Sequence, residues 1–216
     1  MKTTCFVAVM LVVFLVTPAA YSQTKEVPKF EVAAEFTTLE REDFSGRRTD
    51  PGIGARFTYN LNSVFSLETA AYLFPKECFV CDNPGRVTEV VGGVKVGKRF
   101  DNWGIFAKAR PGIVHYSSDF GGFVTCLSLI CPFPTEPIHP DKTHFAADLG
   151  GVVEFYPSKR IVTRFDAGDT LIHFSQRTQN GLVFNPITQQ FDPFLFITPE
   201  RTTHNFQFMA SVGFRF

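Results

Sequence analysis

Apolar side chains recur at every second position over most of the chain beyond about residue 28. A repeat of two is that of a β-strand, in which successive side chains point to opposite faces. In segment 203–216, for example, Phe206 and Phe208 alternate with Asn205 and Gln207. The pattern predicts eight strands, at about 29–39, 52–61, 64–74, 87–98, 103–116, 143–156, 160–174 and 203–216.

The predicted strands are joined alternately by short turns and long connections. The turns are at 62–63, 101–102 and 157–159, and the long connections are at about 40–51, 75–86, 117–142 and 175–202. Transmembrane barrels have short periplasmic turns and longer external loops. We therefore predict an all-β fold, an eight-stranded antiparallel up-and-down transmembrane β-barrel with a polar lumen filled by side chains. Both termini then lie on the periplasmic side.

One proline interrupts this pattern. Pro111 lies inside the predicted strand 103–116. Proline has no backbone N–H to donate to a neighbouring strand and is found in sheets mainly at edges and bulges. The sequence therefore predicts a β-bulge at Pro111.

The face opposite the apolar one carries seven acids and six bases. They are Glu31, Glu35, Glu68, Glu89, Asp148, Glu154 and Asp166, with Arg56, Lys95, Lys108, Arg110, Arg164 and Arg215. Inside a narrow barrel, such a set can neutralise itself through hydrogen-bonded pairs. A soluble lipocalin-like barrel would show the same alternation with the charges in water.

Small residues on the charged face help to separate these two barrels. They are Gly54, Gly93, Gly97, Gly112, Gly150, Gly168 and Gly213. A crowded lumen needs small residues beside long ones, whereas a face in water does not. We therefore predict that the charged face lines the lumen and that the apolar face meets lipid.

The first 22 residues have the organisation of a secretory signal peptide. Lys2 precedes the apolar run 6–16, and the small residues Ala20 and Ser22 precede Gln23. A membrane anchor is the alternative, but this run is shorter than the roughly 18 residues of a spanning helix. We expect cleavage before Gln23, so that 23–216 forms one barrel domain.

Alternating aromatic residues lead to Phe214 and Phe216 at the end of the sequence. They resemble the carboxy-terminal signal by which assembly machinery recognises outer-membrane barrels. With the signal peptide and the eight strands, 23–216 resembles the OmpA and OmpX type of small barrel over its whole length. The resemblance implies an integral protein of the bacterial outer membrane, in contact with outer-membrane lipid and with the barrel assembly machinery during biogenesis.

Four cysteines fall in the predicted external loops, namely Cys78, Cys81, Cys126 and Cys131. Outside the cytoplasm an even number of cysteines implies disulfides, with three possible connectivities. We favour local pairs over pairing between loops. Zinc is an alternative because the Cys78-x-x-Cys81 spacing suits ligands, but the spacing of the second pair fits zinc poorly.

Two short motifs raise the question of catalysis. His115-x-Ser117 and His173-x-Ser175 resemble fragments of the His-x-Ser-Asn motif of the outer-membrane lipid A deacylase PagL. A histidine on the same strand face as a serine can act as its base. The asparagine is absent from both copies, although Asp119 follows on the same face as the first. We favour polar residues at the barrel rim and predict no catalytic site.

The remaining features argue against two classes of function, nucleic-acid binding and an open channel. The formal net charge of +0 gives no electrostatic case for a nucleic-acid partner. An open porin channel needs about 16 strands, more than this length can supply. The sequence predicts an outer-membrane protein with a structural or surface-interaction role, without catalysis, metal or cofactor. A lipid-modifying hydrolase and a secreted lipocalin-like carrier are the alternatives, and no external ligand is identified.

Overall fold

A computed structural model describes residues 27–43, 46–75, 86–117, 142–185 and 189–216. Its strands are β1 (Phe30–Asp43), β2 (Gly46–Asn60), β3 (Phe65–Phe74), β4 (Val87–Arg99), β5 (Trp103–Tyr116), β6 (Lys142–Phe155), β7 (Ile161–Phe174), β8 (Arg177–Asn185), β9 (Gln190–Thr198) and β10 (Arg201–Arg215). Within the described ranges, no helix is long and apolar enough to cross a membrane.

Eight of these strands close into one barrel. Their order around the wall is β1-β10-β7-β6-β5-β4-β3-β2, and each pairs antiparallel with its neighbours. Closure occurs between the first and last strands, where the Phe30 N–H donates to the Phe216 carbonyl at 3.0 Å and the reverse bond measures 2.9 Å. The predicted eight-stranded antiparallel barrel is confirmed.

The two ends of the barrel differ. The end at which Phe30 meets Phe216 also carries the turns at 61–64, 100–102 and 156–160. We call it the terminal end, and we call the opposite end the loop end. Because the strands are antiparallel, β1 and β2, β3 and β4, β5 and β6, and β7 and β10 are each connected at the loop end.

Burial follows the repeat of two, with the apolar side chains on the outside. In β3, Phe65 and Leu67 are exposed whereas Glu68 and Tyr72 are buried. The exposed apolar residues of the other strands include Phe36, Ile53, Val90, Ile105, Phe145, Phe165, Phe206 and Val212. The barrel therefore has its polar residues inside and its apolar residues outside, the reverse of a water-soluble protein.

Glycine makes room inside this narrow lumen. A Cβ added to Gly54 would lie 2.3 Å from Cδ1 of Tyr72, the residue paired with it on β3. Tyr72 is fully buried, so its ring occupies the space above the glycine. A larger residue at 54 would displace the ring from the lumen.

The predicted loop at 40–51 is wrong, because β1 continues to Asp43 and β2 begins at Gly46. Charged pairs join the extended strands. Arg48 lies 2.8 Å from Asp50, and Arg47 lies 3.7 Å from Glu40. Both faces are polar here, so the alternation of apolar and polar residues that marks the other strands is missing.

The predicted loop at 175–202 also contains regular structure. β8 and β9 form a separate antiparallel hairpin of two strands at the loop end. Gln189 precedes β9 with a φ of 53°, a left-handed conformation that suits a tight turn. This hairpin is not part of the barrel wall, since β10 pairs with β7 and β1.

The bulge predicted at Pro111 is also wrong. The β5–β6 register continues through this residue without a shift. Toward β4, Val91 pairs with Gly112 and Val94 pairs with Ala109, so that equal numbers of residues lie between the two pairs. The missing proline N–H is accommodated by a lapse in the β4–β5 pairing rather than by an inserted residue.

Candidate functional site

The lumen contains the charged residues singled out in the sequence. The structure places all thirteen of them inside the barrel, each with less than 9% of its surface exposed. It adds Arg99, whose side chain lies 3.7 Å from Glu31. The predicted fourth strand ended one residue too early to include it. With Arg99, this set of buried groups has as many bases as acids.

Glu68 is the centre of the charged network. Arg164 donates to both of its carboxylate oxygens, at 2.5 and 3.1 Å. The charged atoms of Lys95, Arg56 and Arg110 lie 3.3, 3.6 and 3.9 Å from the same carboxylate. One buried anion thus interacts with four cations from four other strands.

Two aspartates extend the network from β6 and β7. Asp148 accepts from the Arg110 Nε at 2.8 Å and lies 2.9 Å from the Lys108 Nζ. Asp166 accepts from the Arg164 Nε at 2.5 Å and lies 3.3 Å from Lys108. Because each carboxylate has two cationic neighbours, the cost of burying these charges is offset by paired, hydrogen-bonded geometry.

The network continues toward the terminal end. Glu154 forms an ion pair with Lys95 and accepts a hydrogen bond from the Tyr156 hydroxyl at 2.8 Å. Glu31 accepts from the Asn60 amide at 2.9 Å. The carboxylates of this part of the network therefore accept hydrogen bonds from neutral side chains as well as from charged ones.

On the loop-end side of the network, carboxylates also accept hydrogen bonds from uncharged side chains. Glu89 on β4 accepts from the Gln207 amide of β10 at 2.9 Å. Glu35 accepts from the Tyr72 hydroxyl at 2.6 Å and from the Arg56 Nε at 2.8 Å. The lumen is therefore crossed by hydrogen bonds as well as by ion pairs.

Part of the lumen is apolar, which the sequence pattern did not predict. A fully buried apolar layer lies between the charged network and the loop end. It consists of Leu39, Phe74, Val87, Val114, Ala146 and Ile172. Tyr116 and Phe174 pack against this layer. The sequence pattern places Ala146 on the charged face. The other residues of the layer lie toward the ends of their strands, where the pattern did not assign them to a face.

The last residues of β10 point alternately into the lumen and toward the outside. Arg215 points inward, with its guanidinium 4.2 Å from the centre of the Tyr156 ring. Phe214 and Phe216 are exposed on the outside, and their ring centres are 6.1 Å apart. The Phe216 ring also lies 5.8 Å from that of Phe30. The two aromatic residues of the predicted assembly signal therefore form part of an exposed aromatic cluster at the terminal end.

In the described part of the chain, the histidines of the two histidine–serine motifs contact threonines on neighbouring strands. The Nδ1 atoms of His115 and His173 lie 3.0 and 3.3 Å from the hydroxyls of Thr143 and Thr202, on neighbouring strands. The Ser117 hydroxyl accepts a backbone N–H at 2.8 Å. The acid predicted for the first motif lies outside the described residues.

The predicted disulfides and the alternative zinc site also concern residues beyond the described ranges. Cys78, Cys81, Cys126 and Cys131 are all outside them. Among the residues that the structure does describe, no cluster of three or more histidine, cysteine, aspartate or glutamate side chains is arranged to hold a metal. The disulfides stay a prediction.

No protein-family model matches the chain, and no curated protein matches it either. Several solved structures are similar in fold. Neisserial surface protein A is 12% identical, with 87% of this chain and 97% of that chain covered and a TM-score of 0.49. The outer membrane protein OprG of Pseudomonas aeruginosa is 10% identical, with coverage of 88% and 96% and a TM-score of 0.49.

The attachment invasion locus protein Ail of Yersinia pestis is 13% identical, with coverage of 88% and 99% and a TM-score of 0.48. These three proteins are small eight-stranded outer-membrane barrels. At these identities the likeness concerns the fold and carries no role from one protein to another.

Proposed function

We propose that this protein is an integral barrel of the bacterial outer membrane with a structural or surface-interaction role and no catalytic activity. The observation that carries the proposal is that neighbouring residues of one strand point to opposite sides of the barrel wall, with large apolar side chains on the outside. Phe208 is 38% exposed on the outer wall, whereas Met209 is 1% exposed in the lumen. Lipid around the barrel accounts for this arrangement, because an apolar band is stable against hydrocarbon and costly against water.

The backbone supports the same environment. In hydrocarbon, unpaired N–H and C=O groups are too costly, so strands cross a membrane only as closed barrels. Here the pairing of β1 with β10 removes both edges of the sheet. A lipocalin-like carrier, which needs an apolar interior and a polar exterior, has the opposite distribution of side chains.

The contents of the lumen favour a structural or surface role over transport. Side chains from all eight strands meet inside the barrel, and the apolar layer lies between the charged network and the loop end. Interaction with other molecules is then expected at the loop end. The histidine–serine motifs give no specific support for a lipid hydrolase.

The orientation and biogenesis are part of the proposal. Removal of residues 1–22 would leave both termini in the periplasm and the long connections outside the cell. Disulfides among Cys78, Cys81, Cys126 and Cys131 would then form in an oxidising compartment. Phe214 and Phe216 are exposed at the terminal end, where the barrel assembly machinery could contact them during insertion.

Cell fractionation of a Gram-negative host that expresses the full chain tests the proposal. We expect the protein in the outer-membrane fraction, with faster gel mobility before heating than after it, because the closed barrel resists detergent at room temperature. Protease added to intact cells should cut only in the long connections. Recovery in the soluble periplasmic fraction, or in the inner membrane with an uncleaved amino terminus, would contradict it.

A further inference from the structure

One acid of the lumen, Glu89, lies just below the apolar layer. It is fully buried on β4, and Val87, two residues nearer the loop end, belongs to that layer. Among the described residues Glu89 forms no ion pair, whereas each of the other six acids of the lumen lies within ion-pair distance of a base. Its Oε1 has no described hydrogen-bond donor.

The hydrogen bonds around Glu89 come from uncharged side chains. The Gln207 Oε1 accepts from the Thr170 hydroxyl. The Gln207 Nε2 donates to Thr37 at 3.2 Å and to the Glu89 Oε2 at 2.9 Å. These two contacts use both N–H donors of the amide. The Glu89 Oε2 is therefore an acceptor, and Oε1 is the oxygen that is free to carry a proton.

The charged and titratable neighbours of Glu89 do not neutralise it. They are Tyr72 of β3, Lys108, Arg110 and Tyr116 of β5, and Asp148 of β6. Both cations contact Asp148, which lies 2.9 Å from the Lys108 Nζ and accepts from the Arg110 Nε at 2.8 Å. A negative charge on Glu89 would therefore lack a cation of its own and would be repelled by Asp148.

We propose that Glu89 is a buried proton-binding site, a neutral carboxylic acid that carries its proton on Oε1 in the folded barrel at neutral pH. An isolated carboxylate is so costly to bury that such a group takes up a proton instead. The proton comes from the aqueous medium and forms the O–H bond, and no other bond changes. The neutral acid keeps the hydrogen bond from Gln207 and removes the repulsion from Asp148.

This site makes the barrel sensitive to alkali. In the unfolded chain Glu89 meets water, where a glutamate releases its proton above about pH 4.3. Above that pH, and as long as the folded barrel keeps the proton, unfolding releases one proton. The free energy of unfolding therefore falls as the pH rises. Comparison with Glu89→Gln isolates this effect, because the other acids are present in both proteins.

Infrared spectroscopy of the full chain in heavy water tests the proposal. Ether-linked phosphatidylcholine is used for reconstitution because it has no ester carbonyl to mask the carboxylic-acid band, and folding is verified by heat-modifiable mobility. We expect a carboxylic-acid band at neutral pH that shifts when glutamate carries a heavy carbon isotope in its side-chain carboxyl. The shifted band should be lost in Glu89→Gln. It should remain in the control Glu40→Gln, since Glu40 lies 3.7 Å from Arg47.

Urea unfolding at several pH values adds a second measurement. The unfolding equilibrium constant of the parent should rise by about tenfold more per pH unit than that of Glu89→Gln, and Glu40→Gln should follow the parent. The same slope in the parent and in Glu89→Gln would overturn the inference.

The spectra decide the case even if one variant fails to fold. Absence of a glutamic-acid band from the labelled, folded parent would overturn the inference, as would a band that persists in Glu89→Gln. If Glu89→Gln does not form a heat-modifiable barrel, Glu89→Asp takes its place. Loss of the labelled glutamic-acid band in that variant would support the site, and its persistence would overturn it.

Discussion

Glu68 on β3 and Arg164 on β7 meet across the lumen as a two-pronged ion pair, with N–O distances of 2.5 and 3.1 Å. In the order of strands around the barrel, β3 and β7 stand opposite each other. The contact therefore spans the full width of the lumen and connects walls that share no backbone hydrogen bond. It also places charged groups on the path that a permeating solute would follow.

Glu68→Gln tests the importance of this centre. The substitution leaves Arg164, Lys95 and Arg56 without their shared anion, and breaking a buried pair on one side costs about 3–5 kcal/mol of unfolding free energy. Urea unfolding in lipid vesicles, followed by Trp103 fluorescence, measures the loss.

Glu40→Gln is the matched control for that experiment. Glu40 lies 3.7 Å from Arg47, whose side chain is 75% exposed. An exposed pair contributes at most about 1 kcal/mol, so this variant should unfold nearly as the parent does. Equal losses in the two variants would mean that the lumen network does not hold the barrel together.

A pair of glycines tests how closely the strands approach. A Cβ at Gly93 would lie 2.1 Å from the Ala109 carbonyl oxygen on β5, whereas a Cβ at Gly151 would have no heavy atom within 4 Å. Gly93→Ala should cost about 1–3 kcal/mol by forcing β4 from β5. Gly151→Ala should be neutral or stabilise by up to about 1 kcal/mol. The opposite ranking in urea unfolding would show that the β4–β5 contact is not as close as described.

The wall of the barrel could be predicted because one physical rule governs most of it. A strand between lipid and a polar lumen must alternate, so Leu67 and Glu68 already indicate opposite faces. The rule fails where both faces are polar. This is why the extensions of β1 to Asp43 and of β2 from Gly46 were missed.

The contents of the lumen could be predicted only in part. Alternation identifies which side chains point inward, but not which of them meet, and Glu68 and Arg164 are 96 residues apart. Alternation also does not show how far along the barrel axis each side chain lies. The apolar layer was missed for this reason. Leu39 and Phe74 lie on different strands, and only the pairing of the strands brings them to the same depth.

The loop cysteines should be oxidised in the native protein. A peptide map of protein from intact cells, prepared without reductant, should show Cys78, Cys81, Cys126 and Cys131 in disulfides, with local pairing favoured. Four free thiols would contradict the external location of these loops. Zinc bound in a one-to-one ratio would support the alternative metal site.

Lipid A should be unchanged by this protein. Because the Ser117 hydroxyl and the His115 ring have other partners in the described structure, we expect no loss of an acyl chain in the mass spectrum of lipid A from expressing cells. Ser117→Ala and Ser175→Ala should therefore have no effect on that spectrum. A deacylated species that disappears in either variant would establish a hydrolase.

Phe208 and Met209 lie next to each other on opposite faces of the wall, so they distinguish a barrel surrounded by lipid from one surrounded by water. Spin labels are attached at Phe208→Cys and, separately, at Met209→Cys, with the loop cysteines replaced by serine and the protein reconstituted in lipid. Collisions with oxygen, which concentrates in hydrocarbon, then report which label meets the membrane. If lipid surrounds the barrel, relaxation by oxygen should be strong at position 208 and weak at position 209. Strong relaxation at 209 with little at 208 would show that the outer face assigned here does not meet lipid.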